Sequence, residues 1–314
     1  MKKRKIWIDC DPGIDDAVAL AMVAASQDRL HVLGISTVSG NQTIDRVTEN
    51  ALKLSAFLSL NVPIVRGADC PLLRPLEIAG DIHGDTGLGN CRLPETQKKP
   101  EDENGLLFMR NTIMHLPAGE KVTLVPTGPL TNIALLFKVF PEVKERVEQI
   151  VLMGGSAGGG NVTPYAEFNI WVDPEAASLV FKCGLPIVMC GLDVTMQSGL
   201  NHRQVKKLLS SSHPVQHAYG EMLSFYLGTT ISENRQLVCI HDAVTILFLT
   251  NPELFRGIYA EICIDCSEEH RGQTILRPVS PEELSRISAP VYMLNKTELP
   301  KFQEILLQKL CSLA

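Results

Sequence analysis

The chain has 314 residues, 45% hydrophobic and 20% charged, enough apolar mass for one large α/β domain or two smaller ones. Its formal charge of −6 and pI near 5.8 offer no attraction to nucleic acid polymers or anionic lipid, which leaves a small molecule as the expected partner. No apolar run reaches the ~18 residues of a membrane span, and the basic start meets Asp9 and Asp11 before a signal-peptide core can form. The nine cysteines are scattered apart from Cys263 and Cys266, which lack a second pair at zinc spacing, so reduced thiols in a cytoplasmic protein are expected.

Apolar runs of strand length alternate with amphipathic runs of helix length. In chain order the pattern predicts a strand over residues 4–10, a helix over 15–26, a strand over 31–38, a helix over 43–58 and a strand over 62–66. It continues with a helix over 104–115, a strand over 121–126, a helix over 130–140, a strand over 149–153, a helix over 174–183 and a strand over 186–191. Helices over 202–209, 217–229 and 242–249, a strand over 258–265 and a helix over 300–313 complete the chain. Several strands are nearly all apolar, as expected when both faces are covered. The alternation predicts an open, mostly parallel, doubly wound (Rossmann-like) α/β sheet in one domain, residues 1–314, with residues 97–103 as a surface loop. Ligands of such sheets bind beyond the carboxyl ends of the strands.

The first polar cluster there is Asp9-Cys10-Asp11-Pro12-Gly13-Ile14-Asp15-Asp16. A helix start accounts for Asp15 and Asp16, because its dipole favours acids in the first turn. It does not account for Asp9 and Asp11 beside them. Four carboxylates this close repel one another unless a cation intervenes, and all-oxygen ligands suit calcium or magnesium. The loop is no EF-hand, since Gly13 and Leu20 stand where that motif places ligands. His83 follows in Asp81-Ile82-His83-Gly84-Asp85-Thr86-Gly87-Leu88-Gly89, whose glycines would permit a mobile lid.

Next, Val125-Pro126-Thr127-Gly128-Pro129-Leu130 reads as a tight strand-to-helix turn that presents carbonyl oxygens at the ligand edge. After it, Met153-Gly154-Gly155 leads through Gly158-Gly159-Gly160-Asn161 to Glu167-Phe168-Asn169. These glycines form no phosphate loop, and the neutral or acidic Asn161, Glu167 and Asn169 suit sugar hydroxyls better than phosphate. Last comes His241-Asp242 before a helix. Asp242 is either a helix cap or a ligand, and a histidine beside it can protonate a leaving group.

Together these stretches resemble the inosine–uridine-preferring nucleoside hydrolases, from Lys5 to about Thr274. So do Ala166-Glu167-Phe168-Asn169, Asp173-Pro174-Glu175-Ala176-Ala177 and Gly191-Leu192-Asp193-Val194-Thr195. The resemblance implies calcium held by Asp11, Asp16, Asp242 and the carbonyl of Thr127, with Asp9 a supporting acid behind them. It implies ribose held by Asp15, Asn161, Glu167 and Asn169, with Asn41 and Met153 lining the sugar pocket and His83 near the base. His241 matches the histidine of members not strictly purine-specific. Before it, where members often carry tyrosines, this chain offers only Tyr226, and its 234–240 segment is shorter.

The implied reaction is hydrolysis of the ribose–base bond of pyrimidine or mixed ribonucleosides. Calcium gathers the 2′ and 3′ hydroxyls and a water, Asp11 takes the water's proton, and His241 protonates the leaving base. The resemblance also implies a homo-oligomer, dimer or tetramer. Two rivals stand beside it. One is a haloacid-dehalogenase-like phosphatase with Asp9 as nucleophile, although Gly13 replaces its usual hydroxyl residue. The other is a non-catalytic sugar-binding protein.

Overall fold

The protein is described from a computed structural model covering residues 3–230, 237–287 and 289–313. Of the 234–240 segment named above, residues 234–236 lie outside the described residues. The strands are β1 (Arg4–Cys10), β2 (Leu30–Thr37), β3 (Ile64–Arg66), β4 (Val122–Pro126), β5 (Val147–Met153) and β6 (Ile187–Cys190). They continue with β7 (Gly199–Asn201), β8 (Leu237–Cys239), β9 (Phe255–Ile264), β10 (Thr274–Pro278) and β11 (Val291–Thr297).

Nine of these form one sheet in the order β10-β9-β11-β6-β5-β4-β1-β2-β3, and β7 pairs separately with β8. From β11 to β3 every neighbouring pair is parallel, whereas β9 runs antiparallel to both β11 and β10. This is the mostly parallel, doubly wound sheet that the alternating pattern predicts. The pattern misses β7, β8, β10 and β11. β7 and β8 are three residues each, and β10 is a five-residue edge strand ending in Pro278, which has no N–H to donate.

Side-chain alternation explains the two layers of helices. Along β1, Ile6, Ile8 and Cys10 enter one apolar core, while Trp7 enters the other. β6 divides in the same way, Val188 and Cys190 against Ile187 and Met189. The first core is closed by helices Ile14–Ala24, Ala243–Thr250 and Leu299–Ser312. The second is closed by Gly105–Met114, Thr131–Val139 and Pro174–Phe181. No helix among the described residues is long and apolar enough to cross a membrane.

Trp7 links this packing to the sheet edge. Its ring is fully buried, and its indole N–H donates to Ser36 Oγ at 2.9 Å. Ser36 in turn donates to the carboxylate of Asp9. The β1–β2 register slips by one residue between Ile6 and Trp7, which sets Trp7 opposite Gly34. A Cβ at Gly34 would stand 2.6 Å from the Trp7 ring. Gly34→Ala is therefore expected to destabilise the fold by about 1–3 kcal/mol, the usual cost of overpacking a core. A urea midpoint that does not move would show that the ring yields and that Trp7 does not fix this register.

Candidate active site

The strand order reverses between β1 and β4: the chain goes to β2 and β3 on one side and to β5 and β6 on the other. At such a switch point the two following loops part and leave a crevice. Asp9 pairs with Pro126 across it, and the Thr127 N–H donates to the Asp9 carbonyl at 2.8 Å. The loops after β1 and β4 thus start side by side.

Four aspartates enter from the β1 loop and one from Asp242, all of them buried. Asp15, Asp16 and Asp242 bring carboxylate oxygens within 4.8 Å of one another. Asp16 is the most restrained, accepting from Gly13 N at 3.0 Å, Asn41 Nδ2 at 3.1 Å and Thr127 Oγ1 at 2.7 Å. Asp242 stands at the N-cap of helix Ala243–Thr250 but makes no capping bond, so the carboxylate is not spent on the helix. Asp11 lies between two glycines: a Cβ at Gly40 or Gly128 would come within 2.2 Å and 2.6 Å of its two oxygens. Its Oδ2 accepts the Asn41 N–H at 2.7 Å, while Oδ1 is buried with no hydrogen-bond partner, as is Asp15 Oδ1.

Burial raises the pKa of all these acids, and their mutual repulsion adds to it for Asp11, Asp15 and Asp242. Asp15 rises to about 8. Among the described residues no lysine or arginine lines the cavity. Unpartnered carboxylate oxygens fit a hard divalent cation held by oxygen. Asp9, Asp11 and Asp16 do not reach the cavity lining. Asp9 is wholly buried, with Oδ1 bonded to Ser36 and to Asn132 Nδ2 at 2.7 Å and Oδ2 without a partner, and it is raised by burial to about 7.

The cavity encloses about 370 Å³. Asp15, Asn41, His83, Met153, Asn161, Glu167, Asn169, Thr127, His241 and Asp242 all reach its lining, so residues far apart in sequence converge. Asn169 ties the β4 and β5 loops together, donating from Nδ2 to Thr127 O at 2.7 Å and Met153 O at 3.2 Å. Glu167 spends much of its carboxylate on the backbone, accepting Gly155 N at 2.9 Å and Asn169 N at 3.1 Å. The glycine turn thus serves to seat this acid. Asn161 stands exposed at the rim, its Oδ1 taken by the Phe168 N–H at 2.9 Å.

The His83 loop departs from the expected lid. His83 is buried, stacks on Tyr226 with ring centroids 5.4 Å apart, and accepts the Ile14 N–H at Nδ1, 3.2 Å away. Burial lowers its pKa to about 3. The glycines that follow do take positive φ, but they serve close packing, and a Cβ at Gly89 would meet the Phe225 ring at 2.7 Å. Asn50 Nδ2 and Gln42 Nε2 fasten the loop through Thr86 O (2.8 Å) and Gly84 O (3.1 Å). His241 also lines the cavity, and its Nδ1 lies 2.8 Å from Thr195 Oγ1. Sequence reasoning misses Ile82, Phe168, Met196 and Cys239 in the lining, because apolar residues there look like core.

A family model described as inosine-uridine preferring nucleoside hydrolase matches residues 6–304, extending past Thr274. The pyrimidine-specific ribonucleoside hydrolase RihA of Shewanella woodyi is 43% identical over 283 residues, covering 87% of this chain and 88% of that protein. RihA of Photobacterium profundum is 42% identical over 277 residues, covering 87% and 88%. Among solved structures, a plant nucleoside hydrolase superposes with a TM-score of 0.90 at 28% identity, covering 99% of this chain and 100% of that one. A purine-preferring ribonucleoside hydrolase from Gardnerella vaginalis superposes with a TM-score of 0.89 at 28% identity, covering 99% of each.

The acid cluster makes stability depend on pH and on cations. Asp9 and Asp15 keep protons in the folded chain up to about 7 and about 8, whereas the unfolded chain releases them near ~3.9. The folded state therefore binds more protons between those values, and its stability falls as pH rises through that window. In EDTA, Tm is expected to fall from about pH 5.5 to 8; calcium should raise it, most at the upper end, and Asp16→Asn should abolish that rise. A Tm in EDTA that climbs with pH, or one that ignores calcium, would refute the cation site.

Proposed function

This chain belongs to the inosine-uridine preferring nucleoside hydrolase family and hydrolyses the N-glycosidic bond of ribonucleosides, and we propose that it prefers pyrimidine ribonucleosides and uses calcium. One observation carries the reading. Asp15, with an unpartnered Oδ1, and Asp242 line a cavity whose walls carry the amide and carboxylate groups that ribose hydroxyls need, and the unpartnered Asp11 Oδ1 is buried next to them. The base preference is drawn from the two RihA relatives, which are named pyrimidine-specific. A cytoplasmic location and a homo-oligomer, dimer or tetramer, belong to the same proposal and rest on the sequence resemblance and the scattered thiols.

Asp11, Asp16, Asp242 and the Thr127 carbonyl would hold the cation. When bound, it supplies the positive charge that keeps the acids ionised and makes a neighbouring water more acidic. Asp11 Oδ1, fixed through Asn41 on the other oxygen, accepts the proton of the attacking water. Asp15, Asn41, Met153, Glu167 and Asn169 surround the ribose, and Asn161 closes over it from the rim. Their oxygens stabilise the positive charge that grows at C1′ as the bond to the base breaks. His241 protonates the departing base. Ribose and the free base result.

Steady-state rates on four nucleosides test the substrate. Uridine and cytidine are expected to exceed inosine in kcat/KM by at least tenfold, about 1.4 kcal/mol of discrimination. Deoxyuridine should fall below uridine by roughly five- to a hundredfold, because losing the 2′ hydroxyl leaves buried polar partners unpaired. Inosine matching uridine would sink the base preference. Deoxyuridine matching uridine would sink the ribose roles.

Asp11→Asn keeps the shape between Gly40 and Gly128 and removes the basic oxygen. It should fold as the parent does and lose turnover by at least ~10². A variant that turns over normally would show that another group takes the water's proton.

A further inference from the structure

The short helix Leu192–Thr195 follows β6 at the ligand edge, and no step of the proposed reaction uses it. Thr195 is completely buried, and its N–H is bound to the Gly191 carbonyl at 3.0 Å. Its hydroxyl nonetheless turns to the cavity wall, where Oγ1 meets His241 Nδ1 at 2.8 Å. The neighbouring contacts show why this pair is held in place. β7 and β8 pair with Gly199 opposite Cys239, and the Ile240 N–H donates to Ser198 O at 2.9 Å. Cys239 Sγ lies 3.5 Å from Met196 O. The chain just after Thr195 and the chain just before His241 are thus bonded to each other.

We propose that Thr195 is the positioning residue of His241, holding the ring by Nδ1 so that its Nε2 edge meets the departing base. The proposal rests on the reading of His241 as the group that protonates the base. A threonine suits the task. Its branched side chain is stiff at χ1, and its hydroxyl can accept from Nδ1–H or donate to bare Nδ1, so the bond survives either state of the ring. In the step itself the His241 Nε2–H bond breaks and its proton goes to the base, which keeps the electron pair of the broken C1′–N bond. The water oxygen bonds to C1′, and the water's proton goes to Asp11 Oδ1. The Nδ1 contact with Thr195 is unchanged throughout.

The test compares uridine, whose base needs a proton, with p-nitrophenyl riboside, whose p-nitrophenolate is stable as an anion. His241→Ala should slow uridine and spare the p-nitrophenyl substrate. Thr195→Val, nearly equal in shape, should show the same selectivity and slow uridine by roughly ten- to a hundredfold, the penalty for a catalytic group displaced by about 1 Å. Thr195→Ser should restore uridine turnover. The double variant Thr195→Val with His241→Ala should be no slower on uridine than His241→Ala alone, because the two residues act as one unit. If Thr195→Val folds poorly, Thr195→Ala gives the same comparison. Near-normal uridine turnover in the Val or Ala variant overturns the proposal, as does equal slowing of both substrates while His241→Ala slows only uridine. Equal slowing by His241→Ala itself would remove the histidine's role and this proposal with it.

Discussion

The cost of burying acids together governs this molecule. Five buried aspartates gather at one crevice, where no lysine or arginine among the described residues lines the cavity, and burial raises the pKa of each. Such a group is stable only as protonated acids or around a cation. Much of the surrounding architecture serves to hold that arrangement. Gly13 and Asn41 donate to Asp16 and Asp11 with backbone and side-chain N–H groups, while the Ser36 hydroxyl and the Asn132 amide N–H donate to Asp9.

The fold makes this possible by parting the chain at the β1–β4 boundary. Loops that leave parallel strands in opposite directions expose their first residues to one crevice, so a motif on one loop faces a turn on the other. Gly40 and Gly128 are needed there because any side chain would collide with Asp11. Asn169 carries the same constraint outward, since one amide bridges the carbonyls of Thr127 and Met153. One side chain therefore ties the β4 and β5 loops together, and a shift in one is felt by the other.

The base side is built differently. Tyr226, His83, Met196 and Cys239 come from a helix, a loop, the stretch after β6 and a short hairpin, not from the sheet edge. Solved relatives of nearly the same fold include one named purine-preferring, while the sequence relatives are named pyrimidine-specific.

The sequence by itself determined seven of the nine strands of the main sheet and the acid cluster, because both are local. Alternating apolar runs mark buried strands, and Asp9, Asp11, Asp15 and Asp16 stand in eight consecutive residues whose crowding has few explanations. Thr127, Glu167, Asn169 and Asp242 were legible for the same reason, each following a strand or opening a helix. Only the tertiary structure decided the rest. The glycines after His83 suggest a mobile lid, but their freedom is spent on packing against Phe225. Glu167 and Asn161 read as sugar ligands, yet each also gives oxygen atoms to backbone N–H groups that no sequence pattern reveals. Thr195 lies 46 residues from His241, and its hydroxyl looks like any core threonine until the β7–β8 pairing brings the two together. Contacts across such separations depend on where whole elements dock, and that is settled by the summed burial of two cores, not by any local pattern.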